Sequence, residues 1–130
     1  MPFYNDDNNS IQGVAEEAIS KGQCVKMGTV ATNPQYVKIA GANEAGIGFA
    51  AEDIAAGATG RIIVAGVALA LAHDNAITAG ATYLKAAASG RVDGTTTDKQ
   101  LVVAFALQSS TAQDDLIEVV VRGGPIPLSA

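Results

Sequence analysis

The sequence predicts a mainly β protein, a small β-sandwich or β-barrel with short helical turns and an extended N-terminal arm. Three observations predict it. First, one phrase occurs three times: isoleucine, two small or polar residues, glycine, then an extended run. The copies are Ile19-Ser20-Lys21-Gly22, Ile54-Ala55-Ala56-Gly57 and Ile77-Thr78-Ala79-Gly80. Each joins an apolar anchor to a glycine free to take positive φ, which is the chemistry of a tight turn. Second, apolar residues alternate with a period of two in several short segments, as half-buried strands do. Third, 48% of the 130 residues are hydrophobic but only 5% are aromatic, and Trp is absent. The core is then built from Val, Ile, Leu and a great deal of Ala, and because such small side chains each contribute little burial, oligomerisation is an expected source of stability.

The elements follow in chain order. Residues 1–12 are read as an arm. Asn5 to Ser10 is an unbroken polar run that buries too little to order itself, while Phe3 and Tyr4, two of six aromatics, stand just ahead of it as anchors. Residues 13–124 are read as the β domain. Cys24–Val30 and Tyr36–Ala40 flank a turn at Asn33-Pro34. Ile47–Ala51 is a strand, and 50–56 has room for one or two helical turns before Gly57. Residues 61–72 read as strand rather than helix, because the alternation is strict and glycines punctuate it. Val67, Leu69 and Leu71 share one face; Gly66, Ala68, Ala70 and Ala72 share the other, an all-small surface suited to tight sheet packing or a close subunit contact. Thr82–Ala86 and Arg91–Asp93 follow, then Leu101–Leu107 and Leu116–Arg122, the two most apolar strands. Gly123-Gly124-Pro125-Ile126-Pro127 is read as the end of pairing, with 125–130 a tail. Eight to ten strands at this spacing suit a sandwich or barrel.

Charge narrows the partners. The net charge is −5, and Asp6, Asp7, Glu16 and Glu17 fall in residues 1–20 with no Lys or Arg. The body is nearly neutral and the N-terminus acidic. No basic stripe exists to neutralise phosphates, so neither direct nucleic-acid binding nor an anionic membrane surface is expected. The opening Met1-Pro2-Phe3-Tyr4 has no basic or apolar leader pattern, and no 18-residue apolar run spans a membrane.

The chemistry-bearing residues do not form a catalytic pattern. Cys24 is the sole cysteine and reads as a small buried hydrophobe, with no zinc motif to join. His73 is the sole histidine; Asp74 follows it, and neighbours on a strand point apart. Gly46-Ile47-Gly48-Phe49-Ala50-Ala51 fits a dinucleotide fingerprint by letters, but Gly57 arrives too soon for the helix that motif opens. Glu52-Asp53 and Asp114-Asp115 read as carboxylates flanking turns. No catalytic residue, cofactor or metal is expected, and the chain is not read as an enzyme.

The order of these pieces resembles the capsid decoration, or cement, proteins of tailed bacteriophages. The matching pieces are Gly22-Gln23-Cys24-Val25, Ile47-Gly48-Phe49-Ala50, Ile54-Ala55-Ala56-Gly57 with Val64-Ala65-Gly66-Val67, Ile77-Thr78-Ala79-Gly80, and Leu101–Leu107 with Leu116–Arg122. The likeness covers about residues 13–122. Gln23 and Ala81 depart from it where Asp is common, and Phe49 where Val is typical. The resemblance implies a β-tulip-like form of the sandwich or barrel, made in the host cytoplasm and carried on the outer surface of the virion. It implies a homotrimer that bridges major capsid protein subunits and stabilises the head. The arm, through Pro2, Phe3, Tyr4, Asn5, Asp6 and Asp7, is expected to supply part of the capsid contact. The alternative is another β assembly module, such as a tail, fibre or shell subunit.

Overall fold

The three Ile-x-x-Gly phrases are turns. In the computed structural model, which describes residues 9–29, 36–80, 83–95 and 101–127, Ile19, Ile54 and Ile77 are buried. Gly22, Gly57 and Gly80 have φ of 89°, 81° and 74°. In the first two, a β-turn hydrogen bond closes the loop: the Gln23 N–H donates to the Ser20 carbonyl and the Ala58 N–H to the Ala55 carbonyl. A positive φ at the third turn residue is a conformation in which a Cβ is strained and glycine is not. Ile19 and Ile54 also exchange backbone hydrogen bonds with each other, 2.8 Å both ways, so the first two turns face one another.

Around that pair five strands close a barrel. They are β1 (Asn9–Ala15), β2 (Cys24–Met27), β3 (Tyr36–Ile39), β4 (Gly48–Ala50) and β5 (Thr59–Leu71). They run β1-β3-β2-β4-β5, and β1 pairs again with β5 to complete the ring. Only β1 and β3 are parallel among these pairs. Inside lie Ala15, Ile19, Val25, Val37, Ala50, Ile54 and Ile62. Ile11 of β1 packs against this core, and at Gly13 the strand comes close to β3. A Cβ added at Gly13 would stand 3.1 Å from both γ-carbons of Val37. Sequence reading placed Asn9–Gln12 in the arm because they continue or follow the unbroken polar run Asn5–Ser10. Those residues pair with β5, Ser10 opposite Ile63 and Ile11 opposite Ile62.

β5 is 13 residues long and serves two sheets. Ala65 is the handover: it pairs with Asn9 on β1 and with Arg122 on β9. Gly66 follows with φ of 95°, a value that lets the strand change course without Cβ strain. The remaining strands are β6 (Tyr83–Ala86), β7 (Val92–Thr95), β8 (Leu101–Ala106) and β9 (Leu116–Pro127). They continue the order β5-β9-β8-β6-β7, and a parallel bridge from Ala72 to Val92 leads back to the end of β5.

This second ring repeats the first, pair for pair. Gly13–Gly60, Ile11–Ile62 and Ser10–Ile63 on β1 and β5 recur as Ala70–Ile117, Ala68–Val119 and Val67–Val120 on β5 and β9. Cys24–Phe49 and Val25–Gly48 recur as Tyr83–Phe105 and Leu84–Ala104. The parallel pair Ala15–Val37 recurs as Ala72–Val92. The chain is thus two five-stranded units sharing β5. The third turn follows the rule: Ile77 faces Ser110, whose hydroxyl accepts the Ile77 N–H at 3.2 Å and whose own N–H reaches the Ile77 carbonyl at 3.1 Å. A fourth turn completes the set at Ser110–Asp114. There Asp114, with φ of 69°, stands where Gly57 stands in the first unit.

Two local expectations change, and one left open is decided. Residues 50–56 form no helix; Ile54 stays extended to meet Ile19, and the described 3-10 turn is at Ala88–Gly90. Pairing does not end at Gly123: β9 runs on, with Ile126 opposite Val102 and Pro127 opposite Leu101. The all-small face of β5 is the core face. Ala68, Ala70 and Ala72 are buried, and Val67, Leu69 and Leu71 point outward, half-buried. Ala70 and Ala68 lie directly opposite Ile117 and Val119, which are buried on the same face, so small side chains on β5 leave room for large ones on β9.

Candidate functional site

The arm residues Pro2, Phe3, Tyr4, Asn5, Asp6 and Asp7 lie outside the described residues. The chain joins the described fold at Asn9, opposite Ala65 at the middle of β5.

The ionisable groups of the body shape turns. A Glu52 carboxylate oxygen accepts the Arg61 N–H at 3.0 Å, and Asp53 accepts the Lys21 N–H at 2.8 Å. Asp114 binds Arg91 through Nε at 2.6 Å and Nη2 at 3.3 Å; that guanidinium holds the Asp114 carboxyl below its ordinary range. Hydrogen bonds from the Thr111 hydroxyl and backbone do the same for Asp115. Lys26 meets Glu44 at 2.6 Å and lowers its pKa, with help from the Gly41 N–H. Such pairs at the surface add little stability and much definition to loops.

One cluster brings together what the sequence kept apart. His73, Asp74 and Asp93 offer ligand atoms within 4.8 Å of one another, because Asp93 follows Val92 at the bridge that closes the second ring. Nδ1 of His73 is shielded from solvent and meets no hydrogen-bond partner. One imidazole and two carboxylates are a donor set for a divalent transition metal. Both acids already serve their own turns, Asp74 accepting the Ala76 N–H and Asp93 the Gly94 N–H.

Cys24 is fully buried and free, and burial pushes its thiol from 9.0 up to about 12. The raised value has a consequence for stability. Below pH 9 the thiol is protonated whether folded or not; above it the unfolded chain loses the proton while the folded chain keeps it. Stability should therefore fall as pH rises from 9.0 toward about 12, by about 1.4 kcal/mol per pH unit for this group. Chemical unfolding at pH 8, 9 and 10 (about the working range for such a titration) should show a steeper alkaline decline in the wild type than in Cys24→Ala. Equal slopes would refute it.

The distinctive surface is the outer face of the second unit. Cross-strand register places Tyr83, Phe105, Val120 and Val67 in one row across β6, β8, β9 and β5. Tyr83 is 43% exposed, and its ring meets Phe105 edge-on with centroids 5.2 Å apart. Phe105, Val120 and Val67 are half-buried. Leu69 lies beside the row, and Leu116, 44% exposed, lies opposite Leu71 on the same face. Such a strip has no catalytic capacity; it is suited to contact with another protein. Sequence reading saw Val67, Leu69 and Leu71 on one face but could not join them to Tyr83 and Phe105, because strand order is not written in the alternation.

Comparison with known proteins gives a family and a fold. No helix among the described residues is long and apolar enough to cross a membrane. Among curated proteins none matches the sequence. The fold is similar to the N base of the head fibre gp8.5 of bacteriophage phi29, with a TM-score of 0.71 at 14% identity, covering 91% of this chain and 97% of that one. The phage cement protein family matches residues 5–123. On that match the chain belongs to the phage cement protein family and is a structural protein of the virion.

Proposed function

We propose that this protein decorates the outside of a phage head, as a homotrimer, and bridges neighbouring major capsid protein subunits against the outward pressure of packaged DNA. The observation that carries the reading is the cement-family match over residues 5–123. Three footprints per trimer give an avidity that one lacks, since each later contact forms at high effective concentration. The acidic arm with Pro2, Phe3, Tyr4, Asn5, Asp6 and Asp7 supplies part of each footprint, by adding extended chain to an exposed capsid edge.

The fold defines where the arm can be cut. Asn9 and Ser10 pair with Ala65 and Ile63, so a deletion must stop at Asn8 to spare β1. Removing Met1–Asn8 should leave the thermal transition unchanged and abolish co-sedimentation with purified heads. Undiminished binding would rule out the arm as a contact. A second reading, the base of a head fibre, draws on the likeness to the phi29 fibre base, which concerns the fold alone. Electron microscopy of saturated heads separates the two: compact knobs over the capsid lattice for cement, projecting filaments for fibres.

A further inference from the structure

We propose that copies of this chain assemble head to tail, the outer row of one second unit seating on the Ile47–Val64 surface of the next chain's first unit. This rests on the homotrimer reading above and specifies its interface.

The argument begins inside one chain. In the first unit the row Cys24–Phe49–Ile63 crosses β2, β4 and β5 on the outer face, yet all three side chains are buried. They belong to the same core as Val103 and Val121 of the second unit. Gly46 marks the contact: a Cβ there would strike the Cys24 sulfur and stand 3.4 Å from Cγ1 of Val103. The outer row of the first unit is therefore covered by the β8–β9 end of the second.

The repeat then predicts a partner. The row equivalent to Cys24–Phe49–Ile63 is Tyr83–Phe105–Val120, matched pair for pair by register. It carries the same kind of side chains, but among the described residues no further unit covers it: Tyr83 is 43% exposed and Phe105 and Val120 are half-buried. The residues equivalent to Val103 and Val121 are Ile47, which precedes Gly48 as Val103 precedes Ala104, and Val64, which follows Ile63 as Val121 follows Val120. Ile47 and Val64 are half-buried apolar residues at the surface of the first unit. One chain thus presents both halves of a contact whose geometry it already uses once internally, and the two halves sit on different units. A second copy satisfies both. Because the two patches differ, the contact is heterologous, and it gives a closed ring when the rotation closes.

The test uses the untagged full chain with Tyr83→Lys and Ile47→Lys, each at a surface position. Sedimentation should show the wild type as a closed oligomer, and each variant weakened by at least about 30-fold, the effect of losing a central apolar anchor. Mixed together, the two variants should form a one-to-one dimer, since the intact row of one meets the intact Ile47 surface of the other. Thermal unfolding of each variant checks that the fold survives. An independent measurement avoids charge altogether: Tyr83→Cys with Ile47→Cys in one chain should oxidise to an inter-chain covalent ring, while buried Cys24 stays out of the reaction. An oligomer that survives both lysines and forms no cross-link overturns the interface and leaves the trimer standing. A wild type that is monomeric at head-decorating concentrations overturns both.

Discussion

Phe49→Ala should cost about 3–5 kcal/mol, the range for truncating a fully buried aromatic. Against a total stability of about 5–15 kcal/mol for a domain, that is a large share. The size of the effect comes from where the ring sits. Phe49 is on β4 of the first unit but its side chain is in the core of the second, beside Cys24, Ile63 and Val121. Its removal leaves a cavity in the joint between units, where two closed rings limit relaxation. Phe105 is the control built into the sequence. It holds the equivalent register position in the second unit but is half-buried in the single chain. Phe105→Ala should therefore cost roughly 1–2 kcal/mol in the monomer, since part of its surface already meets water. Urea unfolding of both variants decides the matter. Equal losses would mean that Phe49 has no special place at the joint.

Gly48→Ala should be the second severe change, at or above the upper end of the about 1–3 kcal/mol that overpacking costs. A Cβ at Gly48 would strike the carbonyl oxygen of Ile63 and stand 3.2 Å from Cγ2 of Ile62. The obstacle is backbone on β5, which pairs with β4 through Phe49–Ile63, so no side-chain rotation relieves it. Gly57→Ala gives the contrast. Nothing lies within 4 Å of its Cβ, and only the φ of +81° opposes it, a cost of about 1–2 kcal/mol. Thermal unfolding should rank Gly48→Ala well below Gly57→Ala. The reverse order would show that β4 and β5 can separate without losing the barrel. In the second unit the position equivalent to Gly48 is Ala104, so the close approach is particular to the first ring.

The three Ile-x-x-Gly turns were legible because each needs a residue type that only the sequence supplies: an isoleucine to bury and a glycine to take positive φ. The fourth turn was not. At Ser110–Asp114 a buried serine hydroxyl replaces the isoleucine contact, and an aspartate in the left-handed region, held by Arg91, replaces glycine. The function was legible by resemblance, in the order of turns from Gly22 to Arg122, and the family match extends over the same stretch. The docking row was only half legible. Alternation placed Val67, Leu69 and Leu71 on one face and the alanines on the other, but not which face looks inward. Hydropathy favours burying the leucines; the alanines are buried instead, because Ile117 and Val119 of β9 fill the interior opposite them.

The sequence by itself determined the β class, the three glycine turns, the strand at 61–72 and the family, because these depend on local geometry and on the order of short patterns. Only the tertiary structure decided that β1 closes a ring, that β5 is shared by two copies of one unit, and that Tyr83 and Phe105 continue the row of Val120 and Val67. These are long-range pairings. Their register is set by which side chains fit together across strands far apart in sequence, and that fit has no local signature along the chain.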